Sequence, residues 1–211
     1  MAKYSRIEVT LKMKETGIVT VFYNTDIGIC MEVAKACYNG GARVFEFTNR
    51  GDFAHEVFGE LTKYVHMELP EMAMGVGSVL DGSTTSLYIQ LGADFIVSPA
   101  LNHAVRFSSV GSTPPVGIIL VQGQGPLTAA TNFCPPTCSP GKIFITSAPS
   151  SSAFDISLAE NLTAWFKAGV HCVGMGSKLI SKSIIAEKNY KGLTSKVADA
   201  IKIVQELRKK V

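Results

Sequence analysis

The first hundred residues alternate between short apolar runs and longer amphipathic segments, and this regular alternation limits the folds open to the chain. Each apolar run is rich in β-branched residues and is followed, after a short loop, by residues at helical spacing. Four such steps predict a parallel sheet covered by helices. Because the repeat is regular and compact, we expect an α/β fold of the (β/α)₈ TIM-type barrel, with a doubly wound open sheet as the alternative. The predicted strands are 18–22, 43–47, 71–76 and 94–97, and the predicted helices are 27–38, 52–66 and 83–91, with cap residues among 24–26 for the first helix and Asp52 for the second.

The C-terminal part of the chain repeats the pattern. A helix is predicted over 157–168 and a strand over 170–174, and a last amphipathic helix follows Gly192 and Thr194 and runs through Arg208. We therefore expect a single barrel domain over residues 1–211.

The middle segment, 102–157, has a different composition. It holds seven of the nine prolines but only Arg106, Lys142 and Asp155 as charges. Strands are plausible at 116–121 and 142–146, but no amphipathic helix separates them. A long stretch of this kind counts against a regular barrel. We expect the barrel to be irregular or incomplete across this segment, which is either a loop-rich insertion or a replaced piece of sequence.

Composition excludes several classes of partner. Hydrophobic residues make up 46% and charged residues 18% of the 211-residue chain, which is the balance of a globular core. A net charge of +3 is too small to indicate nucleic-acid binding, and the basic run at 208–210 is typical of a helix C-terminus. No apolar run reaches the roughly 18 residues that a membrane span needs.

The cysteines and the N-terminus indicate the compartment. Five dispersed cysteines are typical of reduced thiols, and Cys134 and Cys138 lack two further ligands at matching spacing, so we expect no metal. The first fourteen residues lack the apolar region of a signal peptide. We expect a cytoplasmic protein.

In a β/α barrel the chemistry lies at the C-terminal ends of the strands. The second predicted strand ends with Glu46 and Thr48 on one face, and Arg50 follows in the loop. A carboxylate in an apolar barrel mouth has a raised pKa and can give and accept protons. A nearby arginine can bind a carboxylate or phosphate with two hydrogen bonds. The alternative is an internal ion pair between Glu46 and Arg50.

The other predicted strand ends carry small and hydroxylated residues. Ser78 follows two glycines and supplies a hydroxyl, although an ordinary tight turn is the alternative. The fourth strand ends at Ser98 and Pro99. After the last strand, Gly176 and Ser177 precede a short helix, where exposed amides can hold a phosphate.

Taken together, the motifs of the two ends resemble those of the aldolases of 2-keto-3-deoxy-6-phosphogluconate and 4-hydroxy-2-oxoglutarate. The resemblance covers roughly residues 15–101 and 158–209. The motifs that carry it are residues 40–50 (GGARVFEFTNR), 75–79 (GVGSV), 92–99 (GADFIVSP), 165–170 (WFKAGV) and 173–179 (VGMGSKL).

The resemblance implies a homotrimeric barrel that cleaves a 2-keto-3-deoxy sugar acid to pyruvate and an aldehyde. A lysine forms a Schiff base with the keto acid, and no metal or cofactor takes part. It also implies a role for each matching residue. Glu46 would be the acid and base, Arg50 and Ser78 would bind substrate together with Thr48, Ser98 and Pro99, and Gly176 and Ser177 would hold a phosphate.

The family's lysine motif is altered in this chain. Lys142 is the only lysine between Asp94 and Trp165, and Ile145 stands where the family has proline. Its apolar neighbours would lower a lysine pKa, as a Schiff-base amine requires, although a strand-edge lysine with an exposed head is the alternative. Two other functions therefore stay open. One is an inactive barrel that keeps the fold and oligomer, and the other is a different sugar-phosphate barrel enzyme that uses Glu46 as base.

Overall fold

The predicted alternation of strands and helices is present in the structure. The computed structural model describes residues 2–98, 117–120 and 172–209, the second of these ranges for its backbone alone. The elements are α1 (Arg6–Thr16), β1 (Ile18–Phe22), α2 (Ile27–Asn39), β2 (Val44–Thr48), α3 (Ala54–Glu68), β3 (Ala73–Gly77), α4 (Gly82–Gln90), β4 (Phe95–Ser98), β5 (Gly117–Leu120), β6 (Val173–Met175), α5 (Lys182–Ala186) and α6 (Tyr190–Lys209).

The six described strands form one parallel sheet in the order β5-β4-β3-β2-β1-β6. The expected α/β fold with a parallel sheet is therefore confirmed. The strand nearest the C-terminus pairs with the first strand, with Ile18 opposite Val173 and Thr20 opposite Met175. This pairing brings the two ends of the chain together, which the closure of a barrel requires. The predicted strand 142–146 and the predicted helix 157–168 lie outside the described residues.

The two faces of the sheet bury two separate sets of side chains. The outer face packs against the helices, and Ile18, Phe45, Phe47 and Ile96 belong to this larger cluster. The inner face forms a smaller cluster from the alternate residues of the same strands. Its members on the strands are Val19, Val44, Ala73, Phe95 and Val97.

The N-terminal helix α1 was not predicted from the sequence, where no helix or strand was expected before residue 18. Ser5 caps it through a capping box, in which the Ser5 side chain accepts from the Glu8 amide and the Glu8 carboxylate accepts from the Ser5 amide. Val9 and Met13 of this helix pack into the inner cluster. Helix α1 therefore covers the end of the sheet opposite the strand C-termini.

The start of α3 corrects the expected cap at Asp52. Phe53 is the N-cap residue, with a left-handed φ of 57° and no side-chain hydrogen bond to the helix. Its ring is 66% exposed. Left-handed backbone is unfavourable for a bulky residue, so the loop between β2 and α3 is held in a strained conformation. The cap expected within residues 24–26 is confirmed and is Asp26, because its carboxylate accepts from the amides of Gly28 and Ile29.

Candidate active site

Glu46 lies on the inner face of the sheet, near the C-terminal end of β2. It has the same orientation along the strand as Val44, which belongs to the inner cluster. The residue is 6% exposed. Its side chain extends over β3, because a Cβ atom at Gly77 would overlap Oε1 of Glu46 and would lie 2.8 Å from its Cδ. Gly77 thus provides the space that the carboxylate occupies.

Burial alone raises the pKa of Glu46 to about 7. Within the described residues no ion pair joins Glu46 to Arg50, and no arginine contributes to the pKa shift of Glu46. The ion pair found in this part of the chain joins Arg43 to Glu71 at 3.0 Å. The alternative of an internal Glu46–Arg50 pair is therefore wrong for this structure. A carboxyl group with a pKa near neutrality can both donate and accept a proton at physiological pH.

Phe95 is a further inward side chain of the sheet and was not singled out from the sequence. A Cβ at Gly75 would overlap the Phe95 ring, so the ring lies across this glycine. Glu46 is opposite Gly75 in the register of β2 and β3. The inward glycines of β3 therefore make room for two side chains of the neighbouring strands. The residue spacing of β4, which puts residue 95 inward, was the only available signal for Phe95.

Thr48 and Ser78 lie at the C-terminal ends of their strands. Thr48 is buried, has the same inward orientation as Glu46 and is opposite Gly77. Ser78 follows Gly77, is exposed and has a left-handed φ of 64°. Non-glycine residues in this region cost roughly 1 kcal/mol or more and occur frequently at functional sites. Ser78 therefore lies at the rim of the sheet, directly after the strand that pairs with β2.

Arg50 is exposed in the loop that follows β2. The backbone of its two neighbours in the chain has a defined geometry. The Asn49 amide donates to the Gly77 carbonyl at 2.8 Å, and Gly51 has a left-handed φ of 75°. Arg50 is therefore in a loop at the same edge of the sheet as Glu46, Thr48 and Ser78.

The predicted phosphate site is on the other side of β1 from Glu46. Gly176 directly follows β6, and a Cβ there would lie 3.5 Å from the Val21 carbonyl oxygen. Val21 is in turn opposite Glu46 in the register of β1 and β2. Two strand spacings separate the two positions, which amounts to about 10 Å. Ser177 is exposed in the turn before α5, so both residues lie at the same sheet edge as the carboxylate.

Three of the predicted site residues are not brought to this inner face by the described structure. Ser98 is buried, but alternation along β4 gives it the orientation of Ile96, which packs in the outer cluster. Pro99 and Lys142 lie outside the described residues. The roles predicted for these three residues remain predictions.

A groove of about 560 Å³ is present elsewhere on the molecule, on the outer side of α3 and α4. It is lined by His55, Lys63, His66 and the C-terminal end of α4, and it lies on the helix side of the sheet rather than beside Glu46.

Neither a metal cluster nor a membrane-spanning helix is found in the described part of the chain. No cluster of histidine, cysteine and acidic side chains there is suited to a metal ion. Over the same residues, no helix combines the length and the apolar character that crossing a membrane demands.

Comparison with known proteins connects this chain to one family. The family model for KDPG and KHG aldolase matches residues 9–117. The KHG/KDPG aldolase of Escherichia coli strain K12 is 29% identical over 99 residues, which are 47% of this chain and 45% of that protein. The chain thus spans about half the length of the curated relative it matches.

Solved structures share the parallel α/β fold of the described residues. The KDPG aldolase of Legionella pneumophila, with pyruvate captured as a covalent carbinolamine intermediate, has a TM-score of 0.69 at 17% identity and covers 90% of this chain and 96% of its own. The 2-keto-3-deoxy-6-phosphogluconate aldolase of Zymomonas mobilis has a TM-score of 0.65 at 16% identity, with 92% and 97% covered. At these identities the likeness concerns the fold alone.

Proposed function

Because the chain belongs to the KDPG and KHG aldolase family, we propose that it is a class I aldolase that cleaves a 2-keto-3-deoxy sugar acid, with or without a phosphate, to pyruvate and an aldehyde. The observation that carries this proposal is the Glu46 carboxyl, which is buried at the C-terminal end of β2 with a pKa of about 7. A proton shuttle for Schiff-base chemistry needs this protonation balance.

The proposed reaction proceeds through Lys142. Its neutral amine attacks the keto carbon, and Glu46 donates the proton with which the keto oxygen leaves as water. The resulting iminium accepts the electron pair of the breaking C3–C4 bond, while the Glu46 carboxylate takes the proton of the C4 hydroxyl, which becomes the aldehyde. Glu46 then gives this proton to C3 of the enamine. Water adds to the iminium that results, pyruvate and the neutral lysine are released, and the proton freed by this hydrolysis returns to Glu46.

The remaining residues bind the substrate in this proposal. Arg50 pairs with the substrate carboxylate, and Ser78 donates a hydrogen bond from the rim. Gly176 and Ser177 hold a phosphate through backbone amides when the substrate carries one. The distance of about 10 Å between Glu46 and Gly176, two strand spacings, fits a substrate that extends from a reacting carbon to a terminal phosphate.

Several finer properties belong to the same proposal. The pairing of β6 with β1 supports the closure of the sheet into a (β/α)₈ barrel. The homotrimer follows from the family resemblance, and the cytoplasmic location follows from the composition. The altered lysine motif favours one competing function, an inactive barrel that keeps the fold and oligomer. A sugar-phosphate enzyme that uses Glu46 as base without a lysine adduct is the third candidate.

Borohydride trapping with pyruvate tests the proposal directly. Intact mass before and after reduction reports the adduct, and peptide mapping identifies the lysine. We expect one pyruvyl adduct on Lys142, which the Lys142→Arg variant loses and the Lys178→Arg variant keeps. An adduct on another lysine would keep the aldolase and reject Lys142. Folded protein without any adduct would reject the aldolase in favour of the inactive barrel or the third candidate.

A further inference from the structure

Arg50 lies between two residues that each have a tyrosine hydroxyl beside them. Tyr88, on α4, donates a hydrogen bond of 2.8 Å from its hydroxyl to the Asn49 side-chain oxygen. Tyr23, which follows β1, places its hydroxyl 2.5 Å from the position that a Cβ at Gly51 would occupy. The peptide segment that carries Arg50 is therefore bonded to a tyrosine on the Asn49 side and has a second tyrosine hydroxyl close to its backbone on the Gly51 side.

The two tyrosines are fixed by a chain of aromatic contacts in the outer cluster. The ring of Tyr23 lies 5.5 Å from that of Phe47, which lies 6.0 Å from that of Phe58. Phe58 meets Tyr88 edge-on at 5.0 Å. Tyr88 is only 1% exposed. Because the aromatic rings are packed to one another, neither hydroxyl can move away without disturbing the helix–sheet layer.

The electrostatics are consistent with this arrangement. Burial and then the nearby Tyr23 raise the pKa of Tyr88 to about 12. Tyr88 therefore stays protonated and remains a hydrogen-bond donor to Asn49 throughout the physiological pH range. The contact is consequently insensitive to pH, as a purely positioning contact should be.

We propose that Tyr23 and Tyr88 are positioning residues for Arg50, and that they hold its guanidinium ready to bind the substrate carboxylate. This inference rests on the proposed function. A bidentate contact between arginine and carboxylate depends on orientation, and an ordered loop loses less entropy when the substrate binds. Gly51 contributes by having no side chain, which lets the Tyr23 hydroxyl approach the backbone.

Substitution of the tyrosines separates positioning from catalysis. Tyr88→Phe keeps the packed ring and removes the hydroxyl, so we expect KM for the keto acid to rise about 5-fold, the equivalent of one ordinary hydrogen bond, with kcat nearly unchanged. Tyr23→Phe should have the same direction. In an Arg50→Lys background the Tyr88→Phe change should have no further effect on KM, because the group that it positions is gone. Tyr64→Phe is the matched control, because it removes the hydroxyl of a half-buried tyrosine on α3 that makes no hydrogen bond with the loop of Arg50.

A second measurement does not depend on activity. An arginine-specific protease can cleave the bond between Arg50 and Gly51, and its rate reports how firmly this loop is held. We expect Tyr88→Phe and Tyr23→Phe to be cut at this bond several-fold faster than the wild type and Tyr64→Phe, with fragments identified by mass.

The two measurements distinguish the possible failures. Unchanged cleavage, or faster cleavage in the tyrosine variants with an unchanged KM, would overturn the inference. A parallel fall in kcat would also overturn it, because the tyrosines would then act on the chemistry. Faster cleavage in a protein that shows no aldolase activity would reject the proposed function and leave the positioning of Arg50 intact.

Discussion

The Glu46 carboxylate fills the space that a side chain at Gly77 would need. A Cβ at Gly77 would overlap Oε1 of Glu46, and the two residues are on neighbouring strands of the inner face. The glycine on β3 therefore determines where the titrating group of β2 can lie. The placement of the proposed acid and base therefore depends on a pair of residues rather than on Glu46 alone.

We expect Gly77→Ala to reduce turnover strongly while the protein stays folded. The added methyl group must push the carboxylate away from its position, and the loss of a positioned acid and base costs about 10²-fold to 10⁴-fold in rate. The measurement is kcat for cleavage of 2-keto-3-deoxy-6-phosphogluconate, with folding checked by circular dichroism.

Gly59→Ala is the matched control for this substitution. Its Cβ would lie 3.3 Å from a terminal carbon of Leu91, a contact that a small shift can relieve, and alanine suits the interior of α3. We expect its turnover to equal that of the wild type. Full activity of Gly77→Ala would show that the position of the carboxylate is not needed for the reaction.

The raised pKa of Glu46 predicts how stability changes with pH. Between its ordinary value of 4.5 and its folded value of about 7, the folded state keeps a proton that the unfolded state has lost. The stability contributed by this group is complete below pH 4.5 and falls as the pH rises through 7, by about 3 kcal/mol in total. Glu46→Gln removes this titration. Urea unfolding at pH 4.5 and pH 8 should therefore show a smaller loss for the variant than for the wild type.

Other titrating groups contribute to both proteins and cancel in this comparison. Equal losses in wild type and Glu46→Gln would mean that the carboxyl titrates normally. In that case it would be a weaker proton donor at neutral pH than we propose, and the role of Glu46 would have to be revised.

Ser78 predicts an opposition between stability and substrate binding. Its φ of 64° is unfavourable for serine and natural for glycine. Ser78→Gly should therefore stabilise the fold by about 0.5–1 kcal/mol in urea unfolding, while the missing hydroxyl should raise KM. A destabilised variant would indicate that the serine side chain makes contacts that outweigh the backbone cost. An unchanged KM would show that the Ser78 hydroxyl does not bind the substrate.

The periodicity of the sequence was sufficient for the parallel sheet, because buried strands and amphipathic helices leave local patterns. It was also sufficient to place Glu46 inward, since alternation along β2 is a local property. The overlap of Glu46 with Gly77 could not be predicted, because it depends on which way a long side chain leans between two strands. Helix α1 was not predicted, because its charged residues leave only a weak amphipathic pattern around Val9 and Met13, the two residues that pack into the inner cluster. The Phe53 cap was missed because strain arises from the surrounding loop.

Asp94 predicts the strongest effect on stability. One oxygen of this buried carboxylate accepts from the amides of Lys3 at 2.6 Å and Tyr4 at 2.9 Å, and the other accepts from the Met74 amide at 2.9 Å. The contacts tie the N-terminal segment to the start of β3, so they hold α1 in place under the sheet. Asp94→Asn replaces one of the two accepting oxygens by an NH₂ group, which only donates, and so sets a donor against at least one of these amides. We expect the free energy of unfolding to fall by about 2–4 kcal/mol, since charge-assisted bonds are replaced by an unsatisfied buried pair.

Asp199→Asn, on the exposed face of α6, is the matched control. It changes the charge equally, and its stability should stay near that of the wild type. Urea unfolding at pH 8 compares the three proteins, and an Asp94→Asn midpoint equal to that of the control would show that the N-terminal segment is held by its apolar contacts instead.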